Sequence, residues 1–123
     1  MLSITPTVRL FLAIDPVDMR KSFHGLTSLT ESILNQDPVS GHWFVFINRR
    51  RDRIKILAWD GTGFWIWYKR LESGTFELPR LVQQDQQGIE LTSAQLSLIL
   101  DGIELSSVRR RKRYRLESAC HST

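Results

Sequence analysis

Residues 43–68 read WFVFINRRRDRIKILAWDGTGFWIWY, and this stretch decides the fold of the chain. It contains three apolar runs that have the length and the aromatic and β-branched content of strands. The runs are Trp43–Ile47, Ile54–Trp59 and Phe64–Tyr68. Two short connections join them, the arginine-rich Asn48–Arg53 and the glycine-containing Asp60–Gly63. Strands joined by such short turns pair with their sequence neighbours, so we predict an antiparallel meander.

Two helices are predicted to flank this meander. Asp18 is a suitable N-cap for a helix from Asp18 to Asn35, in which apolar residues recur at helical spacing. Thr92-Ser93-Ala94-Gln95 is a capping-box pattern, in which the threonine and glutamine side chains bond each other's backbone N–H groups. We therefore predict a second helix from Thr92 to Ile103, with Gly102 suited to its C-terminal cap.

Three further segments complete the predicted secondary structure. Val8–Ile14 is predicted to be a first strand, which ends at Asp15-Pro16 because proline lacks a backbone donor. Thr75–Leu78 is predicted to be a short edge strand. Gln83–Gly88 has no apolar period and is predicted to be an exposed loop.

The chain is long enough for one domain. It has 123 residues, of which 41% are hydrophobic. We predict an α+β domain over residues 1–105, an antiparallel β-meander sheet packed by two helices. From Ser106 onward the chain is polar and basic without an apolar stripe, so residues 106–123 are predicted to form a basic, disordered arm. An exposed edge strand would also permit a homodimer.

Positive charge is concentrated in two places. The formal net charge is +4, and of the 17 lysines and arginines five lie between Arg49 and Lys55 and six between Arg109 and Arg115. Clustered positive charge of this kind is typical of proteins that bind nucleic acid.

The Asn48–Arg53 connection is the first candidate for contact with DNA. Guanidinium groups at the tip of a hairpin can straddle phosphates or reach the edge of a guanine. The alternative is a solvated turn that is kept charged for solubility. The predicted contact residues of the domain are Arg49, Arg50, Arg51, Arg53, Lys55, Lys69 and Arg70.

The basic arm is the second candidate. Lysine and arginine on a flexible arm neutralise phosphates and supply affinity more readily than sequence choice. The alternative is a solubility tail. The predicted contact residues of the arm are Arg109, Arg110, Arg111, Lys112, Arg113 and Arg115.

The last strand of the meander carries bulky side chains on both faces. Alternation places Phe64, Ile66 and Tyr68 on one face. Trp65, Trp67 and Lys69 lie on the other. Three uses of the tryptophan face stay open, namely packing beneath a helix, contact with a protein partner and base stacking. Trp65 and Trp67 are the candidate partner-binding residues.

No catalytic or metal-binding pattern is found in the sequence. A two-metal nuclease site needs clustered carboxylates, and a zinc site needs histidines or cysteines at ligand spacing. The residues considered are Asp15, Asp18, Asp52, Asp60, His24, His42, His121 and Cys120. Turn and cap positions or arginine neighbours account for the aspartates, and the histidines lack ligand spacing. We therefore predict no enzyme activity, no metal and no cofactor.

The sequence also bears on the compartment. Met1–Pro6 lacks the charged start and long apolar stretch of a signal peptide, and no apolar run approaches the roughly 18 residues of a membrane span. A single cysteine favours a reducing environment. The predicted location is the cytoplasm.

Several phrases of the sequence, taken in order, resemble one family. It is the TnpB-like accessory protein, the second open reading frame beside the transposase in bacterial insertion sequences of the insertion sequence 66 family. The resemblance covers roughly Val8 to Leu105. The phrases are Asp18–Lys21, Asp37–His42, Arg51–Leu57, Trp59–Phe64, Tyr68–Phe76, Leu91–Leu96 and Leu100–Ile103.

The resemblance implies a role in transposition of a mobile element. A separate transposase would carry out strand cleavage and transfer, and this chain would act beside it as a non-enzymatic accessory protein. The partners that the resemblance implies are the transposase of the same element and DNA, with the terminal inverted repeats of the element as a candidate target. A module that binds or regulates the transposase without specific DNA binding is the alternative.

Overall fold

The computed structural model describes residues 7–79 and 86–101, together with the backbone of two short strands near residues 103 and 110. Its elements in chain order are β1 (Leu10–Ala13), α1 (Phe23–Ser32), β2 (Trp43–Ile47), β3 (Arg53–Trp59), β4 (Phe64–Arg70), β5 (Gly88–Leu91), α2 (Ser93–Asp101), β6 (Ile103–Glu104) and β7 (Arg109–Arg110).

Five strands form one mixed sheet in the order β4-β3-β2-β1-β5. The predicted meander of β2, β3 and β4 is confirmed, with Val45 opposite Ile56 and Ile56 opposite Trp67. In contrast to the prediction, β1 lies parallel to β2, with Leu10 opposite Trp43. The chain passes through α1 between these two strands, and a parallel pair requires a crossover connection of this kind. The sheet is therefore mostly, but not wholly, antiparallel.

Apolar side chains cover both faces of this sheet. On one face Phe44 and Leu57 pack with Leu26 of α1. On the other face Val45 packs in the same cluster as Ile99 of α2. All five residues of β2 are consequently buried. The predicted α+β class, a sheet packed by two helices, is confirmed, with one helix on each face.

The helix α1 is shorter than predicted at both ends. It begins at Phe23, because Asp18 closes a separate turn in which its carboxylate accepts a hydrogen bond from the backbone N–H of Arg20 at 2.9 Å. The prediction that Asp18 is the N-cap is therefore wrong. The helix ends at Ser32, and Asn35 follows with a φ of 53°. Asparagine is one of the few residues that tolerate this left-handed conformation, which commonly follows a helix.

The structure differs from the prediction in the segment that forms an edge strand. The segment Thr75–Leu78, which was predicted to be a strand, is irregular. Its Phe76 is fully buried, and the backbone N–H of Phe76 donates to the Arg51 carbonyl in the β2–β3 turn at 2.6 Å. The edge is formed by β5, which pairs antiparallel with β1 and begins at Gly88, the last residue of the predicted loop. Of that loop, residues 83–85 lie outside the described part of the chain.

The capping box of α2 is confirmed. The backbone N–H of Thr92 donates to Gln95 Oε1 at 2.9 Å, and that of Gln95 donates to Thr92 Oγ1 at 3.0 Å. The helix ends at Asp101, and Gly102 with its predicted cap lies outside the described residues.

Beyond α2, the described backbone consists of β6 and β7, which pair antiparallel with Ile103 opposite Arg110. Apart from β7, the predicted arm at residues 106–123 lies outside the described residues. None of the helices in the described part of the chain has the length and apolar character needed to cross a membrane.

Candidate nucleic-acid interface

The side chain of Asn48 organises the turn between β2 and β3. Its Oδ1 accepts hydrogen bonds from the backbone N–H groups of Asp52 at 3.1 Å and Arg53 at 3.0 Å. Its Nδ2 donates to Asp52 Oδ1 at 2.8 Å, and the backbone N–H of Arg51 donates to the Asn48 carbonyl at 3.0 Å. The hydrogen bond from Asn48 is the main reason that the pKa of Asp52 lies below its usual value, and a backbone hydrogen bond and the charges of Arg50 and Arg53 act in the same direction. The turn is therefore fixed by local contacts.

Two backbone hydrogen bonds from the segment after β4 also hold this turn in place. The backbone N–H of Leu71 donates to the Asp52 carbonyl at 2.8 Å, and that of Phe76 donates to the Arg51 carbonyl. Arg51 has a φ of 61°, a left-handed conformation that costs a non-glycine residue about 1–2 kcal/mol. The surrounding hydrogen bonds hold it there, so the turn presents its side chains from a rigid backbone.

Consecutive arginines are exposed on this turn. Arg49, Arg50 and Arg51 are exposed, and Arg53 at the start of β3 is half-buried. Within the described residues, none of these four guanidinium groups forms an ion pair with a carboxylate. Like charges at this density repel one another, and a bound anion relieves that repulsion.

The segment between β1 and α1 lies beside the turn. Because β1 and β2 are parallel, the connections that follow them leave the sheet at the same end. The backbone N–H of Val17 accordingly donates to the Ile47 carbonyl at 2.9 Å. The same segment contains Arg20, whose Nη2 lies 2.8 Å from Asp18 Oδ2. The hydrogen bond from Arg20 is the main reason that the pKa of Asp18 falls to about 2.

The two segments line a common open groove with a volume of about 750 Å³. Four arginines and one carboxylate lie along it, together with one aromatic ring, that of Tyr68. The lining residues are Pro16, Val17, Asp18, Met19, Arg20, Asn48, Arg49, Arg50, Arg53 and Tyr68. A concave surface with this excess of guanidinium groups attracts anions such as phosphate.

Lys55 ties the segment before α1 to the sheet. Its Nζ donates to the carbonyls of Met19 and Lys21, both at 2.8 Å, and lies 4.8 Å from the centre of the Tyr68 ring. Only 8% of Lys55 is exposed. These two carbonyl groups therefore already have a hydrogen-bond donor in the segment before α1, which begins only at Phe23.

The other three domain cations predicted to contact DNA are Lys55, Lys69 and Arg70, and of these Arg70 lies opposite Arg53 at the start of β3. The ammonium groups of Lys55 and Lys69 are both bound internally, and that of Lys69 donates to the Leu100 carbonyl of α2 at 2.8 Å. Lys55 is 8% exposed, and Lys69 is half-buried on the strand face that carries Trp65 and Trp67, so we place neither lysine in the contact surface at the turn. Arg70 stays exposed on β4, where its Nη2 lies 3.0 Å from Glu72 Oε2.

The tryptophan face of β4 packs mainly inward. Trp65 and Trp67 are partly buried against the same cluster as α2, and Trp65 meets the buried Trp43 edge to face with ring centres 5.6 Å apart. Core packing thus accounts for much of both side chains, while each keeps part of its surface exposed.

The remaining predicted contacts lie in the arm. The side chains of Arg109 and Arg110, and the whole of Arg111, Lys112, Arg113 and Arg115, lie outside what the structure describes. Among the described residues, no three histidine, cysteine, aspartate or glutamate side chains come together to hold a metal ion. Asp60 instead organises the β3–β4 turn, accepting hydrogen bonds from the backbone N–H groups of Thr62 and Gly63.

Sequence reasoning missed two residues of the groove, Arg20 and Tyr68. Arg20 has only one basic neighbour, Lys21, and so does not belong to either cluster of positive charge. For Tyr68 the residue pattern indicated only the face of the strand on which it lies. The order strand, helix, strand over residues 8–47 is the signal that could have found Arg20, because it indicates a parallel pair with its loops at one end.

Comparison with known proteins gives one family. Residues 8–110 match the family described as IS66 Orf2 like protein. The chain is 35% identical over 104 residues to the uncharacterized protein y4jC of Sinorhizobium fredii, an alignment that covers 85% of this chain and 86% of y4jC. It is 34% identical over 104 residues to the uncharacterized protein y4hO of the same organism, covering 85% and 88% of the two chains. No solved structure matches the chain.

Proposed function

Since this chain belongs to the family of IS66 Orf2 like proteins, and so to the accessory proteins of transposition, we propose that it binds DNA for a separate transposase. The contact surface is the Asn48–Arg53 turn together with the groove beside it. The basic arm acts as an additional electrostatic tether. In this proposal the chain carries out no chemistry itself, and strand cleavage and transfer belong to the transposase.

The single observation that supports DNA binding is that Arg49 and Arg50 are exposed on a rigid turn and form no ion pair within the described part of the chain. An arginine held by a preorganised backbone loses less conformational entropy on binding than one on a flexible loop. Guanidinium groups also match the geometry of phosphate and of the guanine edge. The turn therefore combines charge with a defined position, which a solubility element does not require.

The groove and the arm make different contributions in this proposal. Arginines fixed in the groove set the register of the protein on the DNA, and a base-edge contact from the turn would supply sequence choice. The arm, with six cations between Arg109 and Arg115, supplies affinity that falls steeply with salt.

Partner binding through β4 is a second candidate, supported by the surface that Trp65 and Trp67 leave exposed on an edge strand. In that case the chain would bind the transposase without specific DNA contact. Because both tryptophans also pack against the core, alanine variants would disturb the fold, and substitution by phenylalanine is the better probe.

The test of DNA binding is fluorescence anisotropy with a duplex from the terminal inverted repeat and a scrambled duplex over a salt series. We expect Arg50→Ala to weaken binding by about 1 kcal/mol or more and to lower the salt slope by about 0.9 for each phosphate that the variant no longer neutralises. The matched control is Arg9→Ala, which removes the same charge at the opposite end of β1, where Arg9 pairs with Glu90.

Equal affinity of the Arg50→Ala and Arg9→Ala proteins would exclude the turn from the contact surface. If neither duplex binds, yet the chain co-purifies with its transposase and Trp67→Phe weakens that complex, the second candidate replaces the first.

A further inference from the structure

Tyr68 is the aromatic side chain of the arginine groove. It lies on the edge strand β4 and is 49% exposed, unlike the buried aromatic residues of β2. Arg49, Arg50 and Arg53 line the same groove. An exposed aromatic ring in the same groove as these arginines is more than phosphate binding requires.

The position of the Tyr68 ring is supported from the protein side. The Lys55 ammonium lies 4.8 Å from the ring centre, and two backbone carbonyls fix that ammonium in turn. Cation–π contact of this kind stabilises the ring and orients it. The ring is thus held by the fold, while about half of the Tyr68 residue remains exposed.

Aromatic rings and arginines together form the pattern that proteins use to bind nucleotides outside a duplex. The base stacks on the ring, and its phosphate pairs with the guanidinium groups. In a paired duplex the base faces are covered by neighbouring bases, and only base edges and the backbone are accessible. A base that has left the stack offers both of its faces to such a ring.

The size of the groove is consistent with such a ligand. Its volume of about 750 Å³ lies within the range of small-molecule sites, and the groove is open to solvent. A groove of this volume has room for a ligand the size of a nucleotide.

We propose that this groove binds an unpaired nucleotide of the DNA, with its base stacked on Tyr68 and its phosphate held by Arg50 and Arg53. This inference rests on the proposed function and deepens it by naming the form of DNA that the site takes. Unpaired nucleotides occur at single-stranded ends, bulges and opened junctions. The chain would accordingly prefer DNA with such a feature to the same sequence fully paired.

The test compares three probes of one sequence, a paired duplex, the duplex with one bulged nucleotide and the single strand, with the full chain. The wild-type protein should bind the bulged probe more tightly than the paired one. Tyr68→Leu should abolish that preference, weakening binding to the bulged probe by about 5- to 100-fold more than it weakens binding to the paired duplex. Tyr68→Phe should keep the preference, because the ring remains.

A matched control is Phe23→Leu, since Phe23 is similarly exposed at 46% and does not line the groove. A second readout uses 2-aminopurine at the bulged position. Stacking on Tyr68 should quench its fluorescence when wild-type protein is added, which tests the proposal even if Tyr68→Leu alters the fold.

Three outcomes would overturn the inference. One is equal affinity of the wild-type protein for paired and bulged probes, and another is unchanged 2-aminopurine fluorescence on binding. The third is displacement of the bulged probe by free mononucleotide at a comparable concentration, because the site would then not depend on a DNA strand. Absence of binding to all three probes would instead overturn the proposed function together with this inference, so the two failures are distinguishable.

Discussion

Asn48 carries more of the site geometry than any arginine does. Its amide satisfies two backbone N–H groups and one carboxylate in a turn of only a few residues. It has no charge and would not be identified by a search for basic residues. The arginines can be presented in a fixed arrangement because this neutral side chain replaces the hydrogen bonds that the backbone of the turn cannot make itself.

We expect Asn48→Ala to lower the free energy of unfolding by about 1 kcal/mol or more, because partly buried N–H groups of Asp52 and Arg53 lose their acceptor. Urea denaturation measures this directly. Ser40→Ala is the matched control, since it removes one exposed side-chain hydrogen bond, to the His42 N–H, and should change stability by less than about 0.5 kcal/mol. An unchanged urea midpoint for Asn48→Ala would show that water accepts the hydrogen bonds of these two N–H groups in place of the amide.

At the level of elements, β5 forms one edge of the sheet at a place where no strand was predicted. It has four residues, and its pairing with β1 brings Gly88 opposite Ala13. A Cβ atom at Gly88 would collide with the Leu34 side chain and lie 3.2 Å from the Leu12 carbonyl oxygen. The missing side chain therefore permits the close approach of β5 to β1 and to the residues that follow α1.

Gly88→Ala should destabilise the protein by about 1–3 kcal/mol, the usual cost of overpacking a tight site. Gly63→Ala is the control, because a Cβ atom there meets nothing within 4 Å and Gly63 is not among the glycines with positive φ. Thermal or urea unfolding of both variants tests the pair. Equal stability of the two would mean that β5 moves away from β1 at little cost.

At the scale of the whole molecule, four carboxylates have pKa values that the fold lowers. The guanidinium groups of Arg20 and Arg9 lower the pKa values of Asp18 and Glu90, and hydrogen bonds lower those of Asp52 and Asp60. A carboxylate whose pKa is lower in the folded state stabilises the fold at pH values above its unfolded pKa. That contribution is lost as the pH falls through the folded value.

We therefore expect the urea midpoint to be level near neutral pH and to fall between about pH 4.5 and about pH 2, from the unfolded value of Glu90 to the folded value of Asp18. High salt should reduce the part of this fall that comes from the exposed ion pairs. The part from Asp52 and Asp60 should persist, because hydrogen bonds are the main cause there. A midpoint that does not change with acid would contradict this assignment.

Local sequence signals were sufficient for the elements that depend on near neighbours. The strands of the meander and the capping box at Thr92 lie where the pattern predicts them, because short turns and helix caps are made by residues a few positions apart. The family resemblance over most of the chain was likewise present in the sequence and is matched over residues 8–110. The alternating faces of β4 followed from the period of a strand.

The tertiary structure decided which side chains share the groove. Whether β1 pairs parallel or antiparallel depends on how α1 crosses the sheet, and only the parallel pairing brings Arg20 beside the Asn48–Arg53 turn. The same holds for Lys55, which alternation places on the face of Arg53 but whose ammonium is bound by carbonyls 34 and 36 residues away in the chain. Charge can be read from the sequence, whereas the availability of a charge depends on contacts between residues far apart in it.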